Sequence, residues 1–147
     1  MEMLKLSNQV CFPLYALSRK ITAHYQPLLE KLDITYPQYL VLLLLWEFKE
    51  LSVKELGRRL LLDSGTLTPL LKRMEQKDIV NRSRSTDDER VVMITLTEAG
   101  RKLKRKAADI PEKLKCSLDL STKELMRLRE LTTDILAKME AAETQLR

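Results

Sequence analysis

The sequence predicts a mostly α-helical protein that carries one small β-hairpin. Only three residues are Gly and five are Pro, and aromatic residues make up 5% of the 147-residue chain, which disfavours a turn-rich sandwich or barrel. The chain is instead rich in Leu, Lys, Glu, Arg and Met, the residues that favour helices. A hydrophobic share of 44% beside 32% charged residues is enough to build a folded core. We therefore expect one domain over residues 1–147.

The sequence also excludes several classes of protein. The longest apolar run, from Tyr39 to Trp46, is far shorter than the roughly 20 residues needed to cross a bilayer, and the N-terminus resembles no secretory signal. We therefore expect a cytoplasmic protein, without a membrane partner, whose two cysteines are reduced. Because the chain has a single His, we expect no metal site and no cofactor. Any function of the cysteines should then be redox or nucleophilic.

The first expected element is a long helix with one apolar stripe, between Ser7 and Leu32. Pro13 lies inside this stretch, so the helix either starts near Phe12 or is kinked. A helix that starts only near Phe12 would place Cys11 near its amino end, where the helix dipole favours a thiolate. The apolar residues recur in steps of three and four, at Cys11, Leu14, Leu17, Ile21, Tyr25, Leu28 and Leu32.

The second expected helix is central and buried. Thr35 has the residue type of an N-cap, and Pro37 suits a first helical turn. The very apolar stretch that follows predicts a helix that runs to about Phe48.

A helix-turn-helix is expected next. Ser52 precedes a short helix from about Val53 to Leu60, and Asp63 caps a second helix from about Ser64 to Lys77. Two short helices joined by a brief turn are typical of this motif.

A β-hairpin follows the second short helix. Ile79–Ser83 and Val91–Leu96 each alternate apolar with polar or basic residues. The residues between them are too polar to bury, which predicts a charged hairpin tip.

Two helices are expected after the hairpin. Thr97 opens the first, which carries the basic run Arg101–Lys106, and Pro111 should bend or end it before Cys116. A capping box formed by Ser121 and Glu124 starts the last helix. Its apolar positions are Leu125, Leu128, Leu131, Ile135, Met139, Ala142 and Leu146.

The terminal helices are expected to form a homodimer. A compact core over residues 49–97 is too small to cover the apolar stripes of both terminal segments, so the ends of two chains should pack together. We assign residues 7–33 and 98–147 as dimerisation helices.

A helix-turn-helix followed by a hairpin defines a winged helix, and in a chain of net charge +5 it predicts binding to double-stranded DNA. The second helix fits the major groove, and the hairpin, or wing, reaches the minor groove. At the wing tip, Arg90 suits a narrow minor groove, and Asp88 would orient its guanidinium. The alternative for Lys72 and Arg73 is an ordinary solvated helix face. The candidate contacts of the second helix are Ser64, Thr66, Thr68, Lys72 and Arg73.

Several motifs resemble a known family. Asp63–Glu75, Asp88–Arg90 and Leu96–Gly100 resemble the winged-helix core of MarR-family transcriptional regulators. With Asn8–Phe12 and Thr35–Tyr39, the resemblance narrows to the OhrR branch, repressors that sense organic hydroperoxides. It implies a dimeric repressor that binds a pseudo-palindromic operator and leaves it when a peroxidatic cysteine is oxidised to a sulfenic acid.

The resemblance implies that Cys11 is the peroxidatic cysteine and that Tyr25 and Tyr36 hydrogen-bond its thiolate. Cys11 and Tyr25 are 14 residues apart (25 minus 11), which is about 21 Å along one helix, so they cannot touch within it. Both lie on one stripe, and an antiparallel second subunit could bring them together. We therefore expect the sensor site to span the dimer interface. The alternative is an inert, buried cysteine.

Cys116 resembles the resolving cysteine of two-cysteine members, which traps the sulfenic acid as a disulfide between subunits. The alternative is a bystander thiol at a helix end.

Two other functions are possible for the chain. One is a MarR-type repressor controlled by a small phenolic ligand in the interface cleft. The other is a thiol peroxidase that uses Cys11 and Cys116. Because the sequence lacks the thioredoxin-like βαβ pattern of such enzymes, we expect that the chain is not an enzyme.

Overall fold

A computed structural model describes residues 2–145 and confirms a mostly helical chain with a winged-helix core. The chain forms two compact units, the first ending at Ile110 and the second starting at Pro111. Two short 3-10 turns, Glu2–Leu4 and Leu6–Asn8, precede the first helix. The helices and strands are α1 Cys11–Glu30, α2 Tyr36–Phe48, β1 Glu50–Ser52, α3 Val53–Leu60, α4 Ser64–Gln76, β2 Val80–Arg84, β3 Val92–Leu96, α5 Glu98–Lys106, α6 Ile110–Leu118 and α7 Thr122–Gln145.

Helix α1 starts later than the apolar spacing predicts. The expected start at Ser7 is wrong, because Ser7 lies in a 3-10 turn and the helix begins at Cys11. Pro13 therefore falls in the first turn, where its missing N–H costs no hydrogen bond. Of the two alternatives for Pro13, the structure has the start near Phe12, with Cys11 at the amino end of the helix. The predicted stripe packs only in part, since Leu14 is exposed and the fully buried residue of α1 is Leu29.

Helix α2 forms the centre of the first unit, as the sequence predicts. The Thr35 hydroxyl accepts a hydrogen bond from Gln38 N at 3.4 Å, and the Gln38 side chain accepts one from Thr35 N at 3.0 Å. This reciprocal capping box fixes the start of the helix. Its buried face then supplies the middle of the core, through Tyr39, Val41, Leu42 and Leu45.

The helix-turn-helix has the predicted boundaries and caps. Ser52 and Asp63 each accept a hydrogen bond from an amide in the first turn of the helix they precede. Leu61 takes a left-handed conformation, with φ of 53°, and Leu62 N donates to Gly57 O at 2.9 Å. A Cβ at Gly57 would lie 2.8 Å from Leu62 O, so this tight turn requires glycine.

The sheet has three antiparallel strands in the order β1-β3-β2. The hairpin of β2 and β3 pairs Val80 with Leu96 and Arg84 with Val92, which confirms the predicted wing. Strand β1 was not predicted. It has three residues and pairs Leu51 with Ile94, so it is too short to show an alternating pattern by itself.

Helix α5 packs tightly on the core of the first unit. Gly100 is buried, and a Cβ there would lie 2.2 Å from Ile79 O, closer than any side-chain carbon can approach. The Trp46 indole N–H donates to Gly100 O at 3.0 Å. The first part of segment 98–147 thus belongs to the core of its own chain.

The helix break near Pro111 differs in detail from the expectation. Helix α5 ends at Lys106, before Pro111, and Pro111 lies in the first turn of the new helix α6. Because proline suits that position, it starts a helix here rather than bending one. Cys116 therefore lies within α6.

The second unit ends in the long helix α7, which has the predicted capping box. Ser121 N donates to the Glu124 carboxylate at 2.8 Å, and Glu124 N donates to the Ser121 hydroxyl at 3.2 Å. Most of the predicted apolar stripe is exposed in the single chain, and Leu146 lies outside the described residues. No helix between residues 2 and 145 has the length and hydropathy of a membrane span.

Candidate functional site

Helix α4 divides into a buried face and a polar face. Leu67, Leu70, Leu71 and Met74 are buried. The residues predicted to contact DNA lie on the remaining surface, where Thr68 is half-buried and the others are exposed: Ser64, Thr66, Thr68, Lys72 and Arg73. Asp63 accepts a hydrogen bond from Thr66 N at 2.7 Å, which fixes the amino end of the helix. The arrangement presents hydroxyls, cations and helix N-terminal amides on one surface, as phosphate and base contacts require.

The tip of the wing is held by a local hydrogen-bond network. The Arg90 guanidinium donates two bonds to the Asp88 carboxylate, both at 3.1 Å, and Arg90 N donates a third at 3.0 Å. These bonds hold the pKa of Asp88 below its usual value. The structure thus brings Asp88 and Arg90 together, as predicted, with the Arg90 side chain 90% exposed.

Arg84 is a residue of the wing that the sequence reasoning missed. Its guanidinium donates to Glu89 O at 2.8 Å and bridges the hairpin loop, while Ser85 N donates to Val91 O at 2.8 Å. Arg84 directly follows the predicted strand Ile79–Ser83 and ends the observed strand β2, and its position at the edge of the polar tip was the available signal.

Tyr25 and Tyr36 are brought together between α1 and α2. Their ring centroids are 4.8 Å apart, and the buried Tyr39 lies 5.8 Å from Tyr25. Burial, with the neighbouring Tyr36 and Tyr39, raises the pKa of Tyr25 to about 12, and burial also raises the pKa of Tyr36 and Tyr39. All three hydroxyls are therefore protonated at neutral pH and can donate hydrogen bonds. Tyr39 lies in the apolar stretch that was expected to be buried, and its spacing of three from Tyr36 places both residues on one helix face.

Cys11 lies at the amino end of α1, away from this tyrosine cluster. It is a free and exposed thiol, and no side chain caps the helix there. Because α1 is continuous from Cys11 to Glu30, Tyr25 lies about 21 Å along the axis from Cys11. One chain alone does not bring them together.

A groove of about 950 Å³ runs along α1 to the start of α2. Phe12 and Ala16 line it near the amino end, and Ile34, Tyr36 and Pro37 line it at the other end. The groove thus extends from the neighbourhood of Cys11 to the tyrosine cluster.

Cys116 belongs to the second unit and is also a free, exposed thiol. Its Sγ lies 4.0 Å from a Glu112 carboxylate oxygen. Between residues 2 and 145 there is no group of three or more His, Cys, Asp or Glu side chains that could hold a metal ion.

Comparison with known proteins places this geometry among transcriptional regulators. Residues 23–107 match the family model of the transcriptional regulator SarA/Rot. The organic hydroperoxide resistance transcriptional regulator of Bacillus subtilis (strain 168) is 64% identical over 108 residues, which cover 74% of each chain. The HTH-type transcriptional regulator SarZ of Staphylococcus aureus (strain USA300) is 44% identical over 119 residues, 81% of this chain and 80% of SarZ.

Solved structures of AbfR from Staphylococcus epidermidis have the same fold. Reduced AbfR bound to DNA is 39% identical with a TM-score of 0.75, and the match covers 94% of this chain and 96% of AbfR. The disulfide-formed state of AbfR is 38% identical with a TM-score of 0.63, over 92% and 95% of the two chains.

The fold, the polar face of α4 and the wing define a winged-helix transcriptional regulator. These relatives are transcriptional regulators and not enzymes, which favours the regulator over the thiol-peroxidase alternative. The chain belongs to the MarR family of transcriptional regulators, in the branch that contains organic hydroperoxide resistance regulators.

Proposed function

We propose that the chain is a homodimeric repressor that releases its operator DNA when an organic hydroperoxide oxidises Cys11. The observation that carries the proposal is a free, exposed thiol at the amino end of α1 in a winged-helix chain related to an organic hydroperoxide resistance regulator. An accessible sulfur at a helix amino end, where the N-cap residue makes no side-chain capping bond, is suited to attack on a peroxide.

The DNA-binding part of the proposal rests on α4 and the wing. Lys72 and Arg73 contact phosphates or base edges, together with the hydroxyls of Ser64, Thr66 and Thr68. Arg90, held by Asp88, enters the adjacent minor groove. Two such modules related by a two-fold axis bind the two halves of a pseudo-palindromic operator.

The dimer is supported by apolar surface that a single chain leaves exposed. On α7, Leu131 and Met139 are each 57% exposed, and Phe12 and Leu14 are exposed near the start of α1. Large apolar side chains left exposed on a helix of each unit favour protein–protein contacts there. In this proposal the chain is one MarR-type domain over 1–147, in which segments 7–33 and 98–147 pair around the core at 49–97.

The sensing chemistry begins at Cys11. The thiolate attacks the terminal oxygen of the hydroperoxide, the O–O bond breaks, and the alkoxide leaves and takes up a proton as the alcohol. Sulfur is thereby oxidised to a sulfenic acid and the peroxide is reduced. Tyr25 and Tyr36 of the partner subunit donate hydrogen bonds to the Cys11 thiolate, which their raised pKa values allow because the hydroxyls keep their protons. Oxidation changes these hydrogen bonds and shifts the winged-helix modules of the two subunits.

Cys116 completes the cycle as the resolving thiol. Its sulfur attacks the Cys11 sulfenic acid of the partner subunit, water leaves, and an intersubunit disulfide forms. Exposure of both thiols supports this step, as does the disulfide-formed state of the relative AbfR. Thiol exchange with a cellular reductant restores the reduced repressor.

A DNA-binding titration of reduced and oxidised protein tests the proposal. We expect wild type to bind an operator as a dimer and to leave it after stoichiometric organic hydroperoxide, whereas Cys11→Ser binds but ignores the peroxide. Cys116→Ser should respond without forming a covalent dimer in non-reducing mass analysis. Release of Cys11→Ser by peroxide would remove the sensing proposal. Release by a phenolic ligand, with peroxide inert, would favour the ligand-controlled alternative.

A further inference from the structure

We propose that Trp46 is a positioning residue that couples the tyrosine cluster to the DNA-reading elements. A continuous set of contacts leads from Tyr25 through Trp46 and Thr97 to the junction of α4 and β2. The inference rests on the proposed function, because it names the route by which a change near Tyr25 reaches the wing and α4.

The first step is a chain of aromatic contacts. Tyr25 on α1 lies 5.8 Å from Tyr39 on α2, and Tyr39 meets the Trp46 ring edge-on, with centroids 6.2 Å apart. These separations lie in the range in which aromatic rings contact each other directly. Tyr39 is 3% exposed, so its ring has no free space into which it could move alone. A displacement of Tyr25 is therefore passed to Trp46.

The second step joins α2 to α5. The Trp46 indole N–H, which can only donate, bonds Gly100 O at 3.0 Å. The Lys104 ammonium donates to the backbone oxygen of Trp46 at 3.4 Å. Trp46 therefore holds α5 through both its ring and its backbone.

The third step joins α5 to both DNA-reading elements. Gly100 N donates to the Thr97 hydroxyl at 3.0 Å, and that hydroxyl lies 2.6 Å from Asp78 O and 3.0 Å from Ile79 O. Asp78 follows α4 in a left-handed conformation, with φ of 57°, and Ile79 leads directly into β2. One buried hydroxyl thus fixes the end of the reading helix and the root of the wing.

The close approach of α5 to Ile79 makes this connection stiff. The position of a Cβ on Gly100 lies 2.2 Å from Ile79 O, so the two backbones are in direct contact. A tilt of α5 must move the Ile79 carbonyl, because a packed interior has no void to absorb it. The set of contacts therefore transmits a shift of Trp46 to the wing and to α4.

The experiment compares DNA affinity before and after oxidation in variants of this route. Trp46→Phe keeps an aromatic ring and loses the N–H. Thr97→Val keeps the side-chain shape and loses the hydroxyl, while Thr97→Ser restores the hydroxyl. Thr144→Val is the matched control, since its hydroxyl bonds Glu140 O within the exposed helix α7. Each protein is titrated with operator DNA in reduced form and after stoichiometric organic hydroperoxide, and the rate of Cys11 oxidation is measured by trapping the sulfenic acid.

We expect Trp46→Phe and Thr97→Val to keep the wild-type rate of Cys11 oxidation and to bind DNA when reduced within about twofold of wild type. Their ratio of oxidised to reduced Kd should fall about fivefold, the effect of losing one hydrogen bond, whereas Thr97→Ser and Thr144→Val should keep the wild-type ratio. An unchanged ratio in Trp46→Phe, or a loss explained entirely by slower oxidation of Cys11, overturns the inference. Failure of wild type to release DNA overturns the proposed function itself.

A second measurement covers variants that fold poorly. Trp46 is the only tryptophan of the chain beside four tyrosines, so fluorescence excited at wavelengths that tyrosine does not absorb reports the surroundings of Trp46 alone. We expect its emission to shift after hydroperoxide treatment and to stay constant in Cys11→Ser. Emission that does not change in wild type, while DNA is released, overturns the coupling role of Trp46.

Discussion

Replacement of Gly100 by alanine should strongly destabilise the first unit. The added Cβ would lie 2.2 Å from Ile79 O and 3.1 Å from Leu96 Cδ2, so the backbone of α5 or of Ile79 must move. Overpacking of this kind costs about 1–3 kcal/mol. The movement also weakens the bonds that Ile79 O accepts from Thr97, at about 1 kcal/mol. The better helix propensity of alanine offsets about 1 kcal/mol.

The net expectation for Gly100→Ala is a loss of about 2 kcal/mol in the free energy of unfolding, or about 4–8 °C in Tm. Urea denaturation followed by circular dichroism measures this free energy. The protein concentration is kept fixed, because the stability of a dimer depends on its concentration. The matched control is Gly65→Ala, whose Cβ meets only the Asp63 side chain within 4 Å, at 3.2 Å, and should stay within about 1 kcal/mol of wild type. A Gly100→Ala protein as stable as wild type would refute the reasoning.

Three further predictions follow from the caps, the wing and the tyrosines. Asp63→Ala removes the acceptor of Thr66 N and should lower the free energy of unfolding by about 1 kcal/mol, measured by thermal denaturation; no change would argue against the cap. Asp88→Ala frees the Arg90 guanidinium and should weaken operator binding about threefold without altering Tm, because both groups are exposed; equal affinity in a fluorescence-anisotropy titration would contradict it. Burial raises the pKa of Tyr25 to about 12 from 10.0, so its contribution to stability is complete below pH 10 and is lost as the pH rises towards 12. Tyr25→Phe should therefore flatten the alkaline unfolding profile, and an unchanged profile would show that another group titrates there.

The sequence predicted the winged-helix core because each of its helices carries a local signal. Thr35, Ser52, Asp63 and Thr97 all cap the helices they were expected to cap, and the side-chain oxygen of a cap acts within a few residues of its own position. Strand β1 was missed because it has three residues and is stabilised by β3, which lies far along the chain.

The start of α1 and the sensor site show where sequence reasoning ends. Periodicity alone extended α1 to Ser7, but a proline in the first turn and two 3-10 turns place its start at Cys11. The resemblance pointed to Tyr25 and Tyr36, which the structure brings within 4.8 Å of each other. Their relation to Cys11 depends on a second chain, and no pattern within one chain determines how two copies pack.

The wing tip has a consequence for how the proposed DNA complex responds to ionic strength. Part of its order comes from the pair between Arg90 and Asp88, which are 90% and 41% exposed, and solvent ions screen such a pair. At low salt the loop is preorganised, so little conformational entropy is lost on binding. A higher salt concentration weakens the contacts between the lysine and arginine side chains and the DNA phosphates. It also loosens the loop that presents Arg90. The affinity for DNA should then fall more steeply with salt concentration than the number of phosphate contacts alone requires. The wing thus makes the proposed DNA binding sensitive to ionic strength in a second way.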